Sequence, residues 1–211
     1  MQGETRGAFG SADITADHRI LRFLVTQSLM KARHSLPVRV EAVTNAGGVE
    51  PVGYVDIRPL IQQVDGEANP VDHGVIHNVP YLRLQGGSSA VILDPVVGDI
   101  GIAVFCDRDI SVLKATKKDA LPGSRRVNHM ADAVYLHTII AAAPTQYVQF
   151  SGAGIKLVSP LAVEIQAPEI RAIGNFAASG GTFTHNGVNV GSTHTHGGVQ
   201  TGGGTTAAPS P

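Results

Sequence analysis

The stretch Ile155-Lys156-Leu157-Val158-Ser159-Pro160-Leu161-Ala162-Val163-Glu164-Ile165-Gln166-Ala167-Pro168 sets apolar residues at alternate positions and interrupts them only at a short corner. Ile155 and Leu157 form one set, and Leu161, Val163, Ile165 and Ala167 the next. After Pro168 the register moves to Ile170, Ala172, Phe176 and Ala178. A period of two gives each strand one apolar face. Further strand-sized pieces, Tyr147–Phe150, Phe183 and Val188–Val190, flank the stretch, and no helix-length pattern occurs after Pro144. Only Lys156, Glu164, Glu169 and Arg171 carry charge between Pro144 and Pro211. Short strands with open edges invite uncontrolled pairing, and these hold too little aromatic mass to close a sandwich. Several chains stacked about a common axis solve both problems, because edges pair along the stack while alternate side chains fill its centre. The expected architecture is an intertwined β-helical prism over residues 144–190.

Toward the C-terminus the chain loses its charge altogether. From Ala172 to Pro211 there is no Asp, Glu, Lys or Arg, and the segment holds ten of the 25 glycines. Within it stands His194-Thr195-His196. On a strand, i and i+2 share a face, so His194 and His196 would project together. Nine histidines in a chain of 211 residues produce ~0.4 such pairs by chance, so the uncharged, Gly-rich setting carries more weight than the spacing. Two imidazoles per chain on a threefold axis make six nitrogens. Zinc prefers a tetrahedron, which this symmetry does not supply. Six imidazoles suit divalent iron, cobalt or nickel, and availability favours iron. A site with every position filled by protein has none open for substrate, so it would be structural.

Toward the N-terminus, residues 1–16 read as a polar arm. Leu21, Leu24, Val25, Leu29 and Ala32 fall at helical spacing from Asp17, a plausible cap, to about Ala32. Leu36-Pro37 breaks that pattern, and period-two alternation follows: Val38, Val40 and Ala42 against Arg39, Glu41 and Val43. Further strand-like runs fall at 52–64, 75–85, 89–93 and 98–106, separated by Gly-, Asn- and Pro-rich breaks. Five short strands in this length predict a small antiparallel barrel of the OB type over residues 37–118. Residues 109–117 suggest a short helical turn, and residues 119–143 a connector ending in the apolar run Val134–Ala143.

Composition excludes several classes of function. A net charge of −1 speaks against a general electrostatic hold on nucleic acid. Cys106 is the only cysteine and reads as a buried, inert thiol. Met1–Arg6 does not resemble a secretory signal, and no run approaches the ~18 apolar residues of a membrane span. Ser151-Gly152-Ala153-Gly154 and Gly86-Gly87-Ser88-Ser89 lack a lysine or helix start that could cradle phosphate, so they read as turns. Asp107-Arg108-Asp109 reads as a solvated turn, and His73, His77, His18, His34, His129, His137 and His185 as ordinary residues without convincing partners. No residue set suggests catalysis or a small-molecule substrate, and an enzyme is not expected.

Pro95-Val96-Val97-Gly98-Asp99-Ile100-Gly101, continuing through Phe105 to Asp107-Arg108-Asp109-Ile110, resembles a barrel signature of the Mu-type central spike proteins at the tip of contractile phage tails. His194-Thr195-His196-Gly197-Gly198, followed by Thr201-Gly202-Gly203-Gly204-Thr205-Thr206 and a Pro-bearing end, is similar to the apex of the same family. The resemblance implies a homotrimer in the virion, made in the host cytoplasm. Its barrels would attach to the baseplate hub protein, and its β-helix would end in an apex, residues 191–211. One Fe(II) per trimer would be bound there by six histidines, His194 and His196 of each chain. It also implies transient, mechanical passage through a host outer membrane. A trimeric receptor-binding fibre tip and the spike of a bacterial contractile secretion device remain alternatives. A zinc hydrolase is more distant, for want of a third ligand and a general base.

Overall fold

The computed structural model describes residues 17–31, 34–192, 194 and 202. The chain is mainly β with antiparallel sheets and divides into two compact units at Pro144/Thr145, where the change of sequence texture falls.

The first unit opens with helix α1 (Asp17–Lys31), close to the expected span. The cap expected of Asp17 lies outside the described side chains, and the apolar residues Leu21, Leu24, Val25 and Leu29 are exposed. β1 (Ser35–Val43) follows. Leu36-Pro37, read as a break, lies within this strand. Pro37 has no N–H to offer, and it sits near the strand's start, where its carbonyl accepts from Leu60 N at 3.0 Å. Val38 and Val40 are fully buried and Arg39 is exposed, as alternation requires. A bulge between Val40 and Ala42 then turns Ala42 outward and brings Val43 against the core.

Next come β2 (Tyr54–Pro59), a two-residue ribbon of β3 (Gln63–Val64) with β4 (Pro70–Val71), β5 (Ile76–Pro80), and a hairpin of β6 (Leu84–Gly86) with β7 (Ser89–Val91). β8 (Ile100–Phe105), a one-and-a-half-turn helix α2 (Ser111–Thr116) and β9 (Ala133–Ile140) complete the unit. The main sheet has the order β5-β2-β1-β8-β9. Its fifth strand is therefore β9, from the segment expected to be a connector, while residues 89–93 pair only locally with β6. The largely apolar run Val134–Ala143, broken only by His137 and Thr138, shows no clean alternation, yet it overlaps a strand whose inner residues, Ala133 and Tyr135, are fully buried. The sheet closes on itself. Tyr81, just beyond β5, makes a parallel bridge to Tyr135, and Leu82 N donates to Tyr135 O at 2.8 Å. Inside the closed sheet lie Val38, Val40, Val55, Ile57, Val79, Ala103, Phe105 and Tyr135.

Three polar devices hold the barrel's ends. In the Pro95–Asp99 turn, Asp99 Oδ2 accepts from Val96 N at 2.9 Å, and Gly98 N and Asp99 O bond the backbone of Val40, each at 2.9 Å. Gly98 takes φ 98° there, a region that favours glycine. At the same end, the nearly inaccessible Arg83–Asp94 pair meets at 2.6 Å. Asp94 also accepts from Tyr81 Oη at 2.6 Å and Gly47 N at 3.0 Å, so one carboxylate ties three loops. At the opposite end Arg126 bridges Asp109 and Asp132, both at 2.7 Å. Asp109 thus departs from the expected solvated turn: Asp107 and Arg108 are exposed, but Asp109 is buried and anchors the loop. Hydrogen bonds from Ser111 and Ser124, with the nearby Arg126 charge, hold its carboxyl down from 3.8 to about 2.

The second unit contains two hairpins, β10 (Tyr147–Ser151) with β11 (Gly154–Val158), and β12 (Thr184–His185) with β13 (Val188–Asn189). The strands expected at Leu161–Ala167, Ile170–Ala172 and Phe176–Ala178 are not formed. Among the described residues, no edge from the same chain lies beside them to pair with. Their side chains are correspondingly bare: Leu161 is 94% and Ile173 101% exposed. None of the helices described is long and apolar enough to cross a membrane.

Two outcomes follow from the barrel. A Cβ at Gly101 would fall inside His137 O and the Tyr135 ring, so Gly101→Ala should lower barrel stability by about 1–3 kcal/mol in urea titration. Asp109 has its carboxyl pKa lowered on folding, so its contribution is complete above pH ~4 and is lost as pH falls toward 2. Acid titration by near-UV circular dichroism should show that loss, and Asp109→Asn should remove this component.

Candidate metal-binding tip

The tip is reached through the β12–β13 hairpin. Its two-residue turn is Asn186-Gly187, with φ of 49° and 78°. Two successive positive φ values are what a type I′ turn requires, and Asn-Gly is its strongest sequence signal. That dipeptide could have located the hairpin from sequence, where only Phe183 and Val188–Val190 were read as strand. Val190 N donates to Phe183 O at 2.8 Å, which carries the pairing one step past the strands. The Phe176 and Phe183 rings lie 6.1 Å apart at a tilt of 47°, an apolar contact beside the hairpin.

From there the backbone turns back on itself. Asn189 Oδ1 accepts from Gly191 N at 2.9 Å. Gly191 O in turn accepts from His194 N at 3.2 Å, and the His194 ring meets the same carbonyl through Nδ1 at 2.6 Å. A carbonyl oxygen can only accept, so Nδ1 carries a proton. The lone pair of the neutral ring is then on Nε2. A histidine that donates one ring N–H to a backbone carbonyl, fixing its tautomer and orientation, is the usual arrangement for a metal ligand. His194 thus fits the expected role through Nε2, on an exposed imidazole.

His196, the second expected ligand, lies outside the described residues. Among the described residues no three His, Cys, Asp or Glu side chains gather into a metal-holding group.

Other histidines have local structural roles. His77 Nδ1 meets Asp56 Oδ2 at 2.7 Å on the barrel surface. Burial raises the Asp56 carboxyl, but the bonds from His77 and from Asn78 N outweigh it and leave the carboxyl below its ordinary value. His129 Nδ1 accepts from Ala131 N at 3.1 Å at the start of a single 3₁₀ turn. The His137 ring centroid lies 6.4 Å from that of Tyr81 and 6.1 Å from that of Tyr135 at the closing seam, with its backbone at φ 83°. Gly101 leaves room for its backbone, since a Cβ there would meet His137 O. Sequence pattern could not foresee the partners of His77 and His137, because those depend on strands brought together from distant positions, whereas the His129 contact is local.

No protein-family model matches the chain, and no curated protein matches it.

The His194 geometry sets a direct expectation. Long-range ¹H–¹⁵N correlation of the imidazoles should show neutral His194 protonated at Nδ1, and a ring protonated at Nε2 would contradict the Gly191 contact.

Proposed function

We propose that this chain is the central spike at the tip of a contractile phage tail. Three copies form it. Their barrels, of OB type, attach to the baseplate hub, and their second units intertwine into a β-helix that pierces the outer membrane of a Gram-negative host when the sheath contracts. The role is mechanical, with neither substrate nor nucleic acid.

The observation that carries the proposal is the contrast between the two units. The first closes its own sheet and buries its own core. The second leaves Leu161, Val163, Ile165, Ile170, Ile173 and Phe176 exposed along a backbone without strand partners. Water can satisfy the exposed backbone there, but such a row of exposed apolar residues is unusual on a monomer. Two further copies supply both missing elements at once. The five-stranded closed arrangement of the first unit supports the OB-type assignment.

At the apex, His194 and His196 of each copy would supply six imidazole nitrogens to one Fe(II) on the threefold axis. Bound there, the ion would cross-link three chain ends that would otherwise fray. His194 would offer Nε2, oriented by Gly191 O. The residues leading to this apex suit passage through a bilayer. A charge at its centre costs roughly 2.5–3.5 kcal/mol on the insertion scale, and threefold symmetry would triple each such cost. The segment from Ala172 onward carries none. Paired strands would also hide the backbone groups that hydrocarbon penalises.

The test is mass in solution together with elemental analysis of purified protein. Trimer mass with about one iron per three chains is expected. Replacing His194 and His196 with alanine should remove the metal while leaving the barrel folded by circular dichroism. A monomer, or one zinc per chain, would refute the apex.

A further inference from the structure

We infer that the barrels meet one another through a charged interface, in which the acidic β3–β4 ribbon of one copy seats against the basic loop after α2 of the next. The inference rests on the trimeric reading above and deepens it.

Strand directions bring the two segments to one end of the barrel. β1 is antiparallel to both β2 and β8, so β2 and β8 run the same way, and the chain leaves both beside the start of β1. Leu60 N bonds Pro37 O there, and Phe105 N bonds His34 O. The excursion between β2 and β5 carries the ribbon, and the excursion between β8 and β9 carries α2 and its loop. Lys114 Nζ reaches Asn78 O at 3.2 Å, which places α2 beside β5 at that same end.

The two excursions have opposite charge. Residues 62–72 contain Asp65, Glu67 and Asp72 and no cation. Residues 114–125 contain Lys114, Lys117, Lys118 and Arg125 against a single Asp119. Both are built rather than loose. Asp65 accepts from the backbone N–H groups of Glu67 and Asn69, which rounds the ribbon's tip. Arg126 is consumed by Asp109 and Asp132, which pins the basic loop. Among the described residues, no ion pair joins ribbon to loop, and Glu67, Asp72, Lys117, Lys118 and Arg125 are all exposed.

Each surface also has an apolar centre. Leu121 is 86% exposed beside Pro122, in an open depression shared with Arg108 and Arg125. Ile61, Val64 and Val71 are exposed on the ribbon. Apolar residues ringed by complementary charge are the anatomy of a protein interface, and charge matching of this kind fixes register and excludes wrong partners. Paired acidic and basic patches are satisfied either across a twofold axis or head to tail, and the trimeric reading takes the head-to-tail arrangement. Such an arrangement closes a ring when the rotation allows. A second copy of this chain is the occupant that the complementary charges fit, and the threefold closure is taken from the trimeric reading.

The experiment treats the intact full-length protein with a water-soluble carbodiimide, which joins a carboxylate to a contacting ammonium as an amide. The expected product is a covalent dimer and trimer whose junction peptides connect Lys117 or Lys118 to Glu67 or Asp72. Lys117→Glu with Lys118→Glu should abolish those junctions. Co-purified mixtures of that variant with Glu67→Lys and Asp72→Lys should restore cross-linking through the reversed pairs. Yield should fall as salt shortens the Debye length from ~10 Å at 0.1 M. The same junctions found only in products of single-chain mass, or a native trimer lacking them, would overturn the inference while leaving the spike intact. A monomer by mass before any reagent is added would instead overturn the trimeric reading, and this interface with it.

Discussion

An open strand edge is a template for pairing, and the two units of this chain meet that demand for a partner in different ways. In the first, five strands curl until Tyr81 and Tyr135 come together and the sheet has no free edge along that seam. Everything else in the barrel depends on this closure. It encloses the valine-rich core, requires glycine at 101, and draws His137 into its positive φ. In the second unit the same demand goes unmet between the hairpins, where alternating apolar residues stand exposed. The first half closes its main sheet, while the second leaves an alternating apolar face bare among the described residues.

Polar groups divide along similar lines. The charges that the barrel buries are spent internally: Arg83 with Asp94, and Arg126 with Asp109 and Asp132. Breaking such a pair leaves a charge without compensation, whereas exposed pairs such as Arg171–Glu169 contribute little. Among the remaining surface charges, two excursions at one end are biased in sign, acidic at 62–72 and basic at 114–125. Near-neutral net charge conceals that separation. At the far end of the chain, charge vanishes, and order comes from a tight Asn-Gly turn and a carbonyl shared by the His194 backbone and ring.

Much of this was legible in residue pattern. Period-two alternation located β1, β2, β5 and β8, because a strand with one buried face writes that face into its sequence. The 3.6-residue spacing located α1 within a residue of its observed end. Pattern failed where burial or pairing was not one-sided. Val134–Ala143 is mostly apolar, broken only by His137 and Thr138, and shows no clean alternation although it supplies the closing strand. Pro37 looked like a break, yet its missing N–H is tolerated where it sits near the strand's beginning. Asp109 looked solvated because no local sequence announces that Arg126, from another loop, will come to meet it.

The sequence by itself determined the division at Pro144, the mainly β character, the uncharged C-terminal segment and the identity of His194 as the residue to watch. These are properties of composition and local periodicity, which any window of the chain carries. Only tertiary structure decided which strands are neighbours, that the sheet closes through β9, that Asp94 and Asp109 are buried anchors, and that His194 presents Nε2. Each of those depends on groups far apart in the chain meeting in space, or on a backbone carbonyl whose direction no side-chain pattern encodes. Alternation at Leu161–Ala167 shows the same limit from the other side: it marks one apolar face, and no described strand of this chain pairs with it.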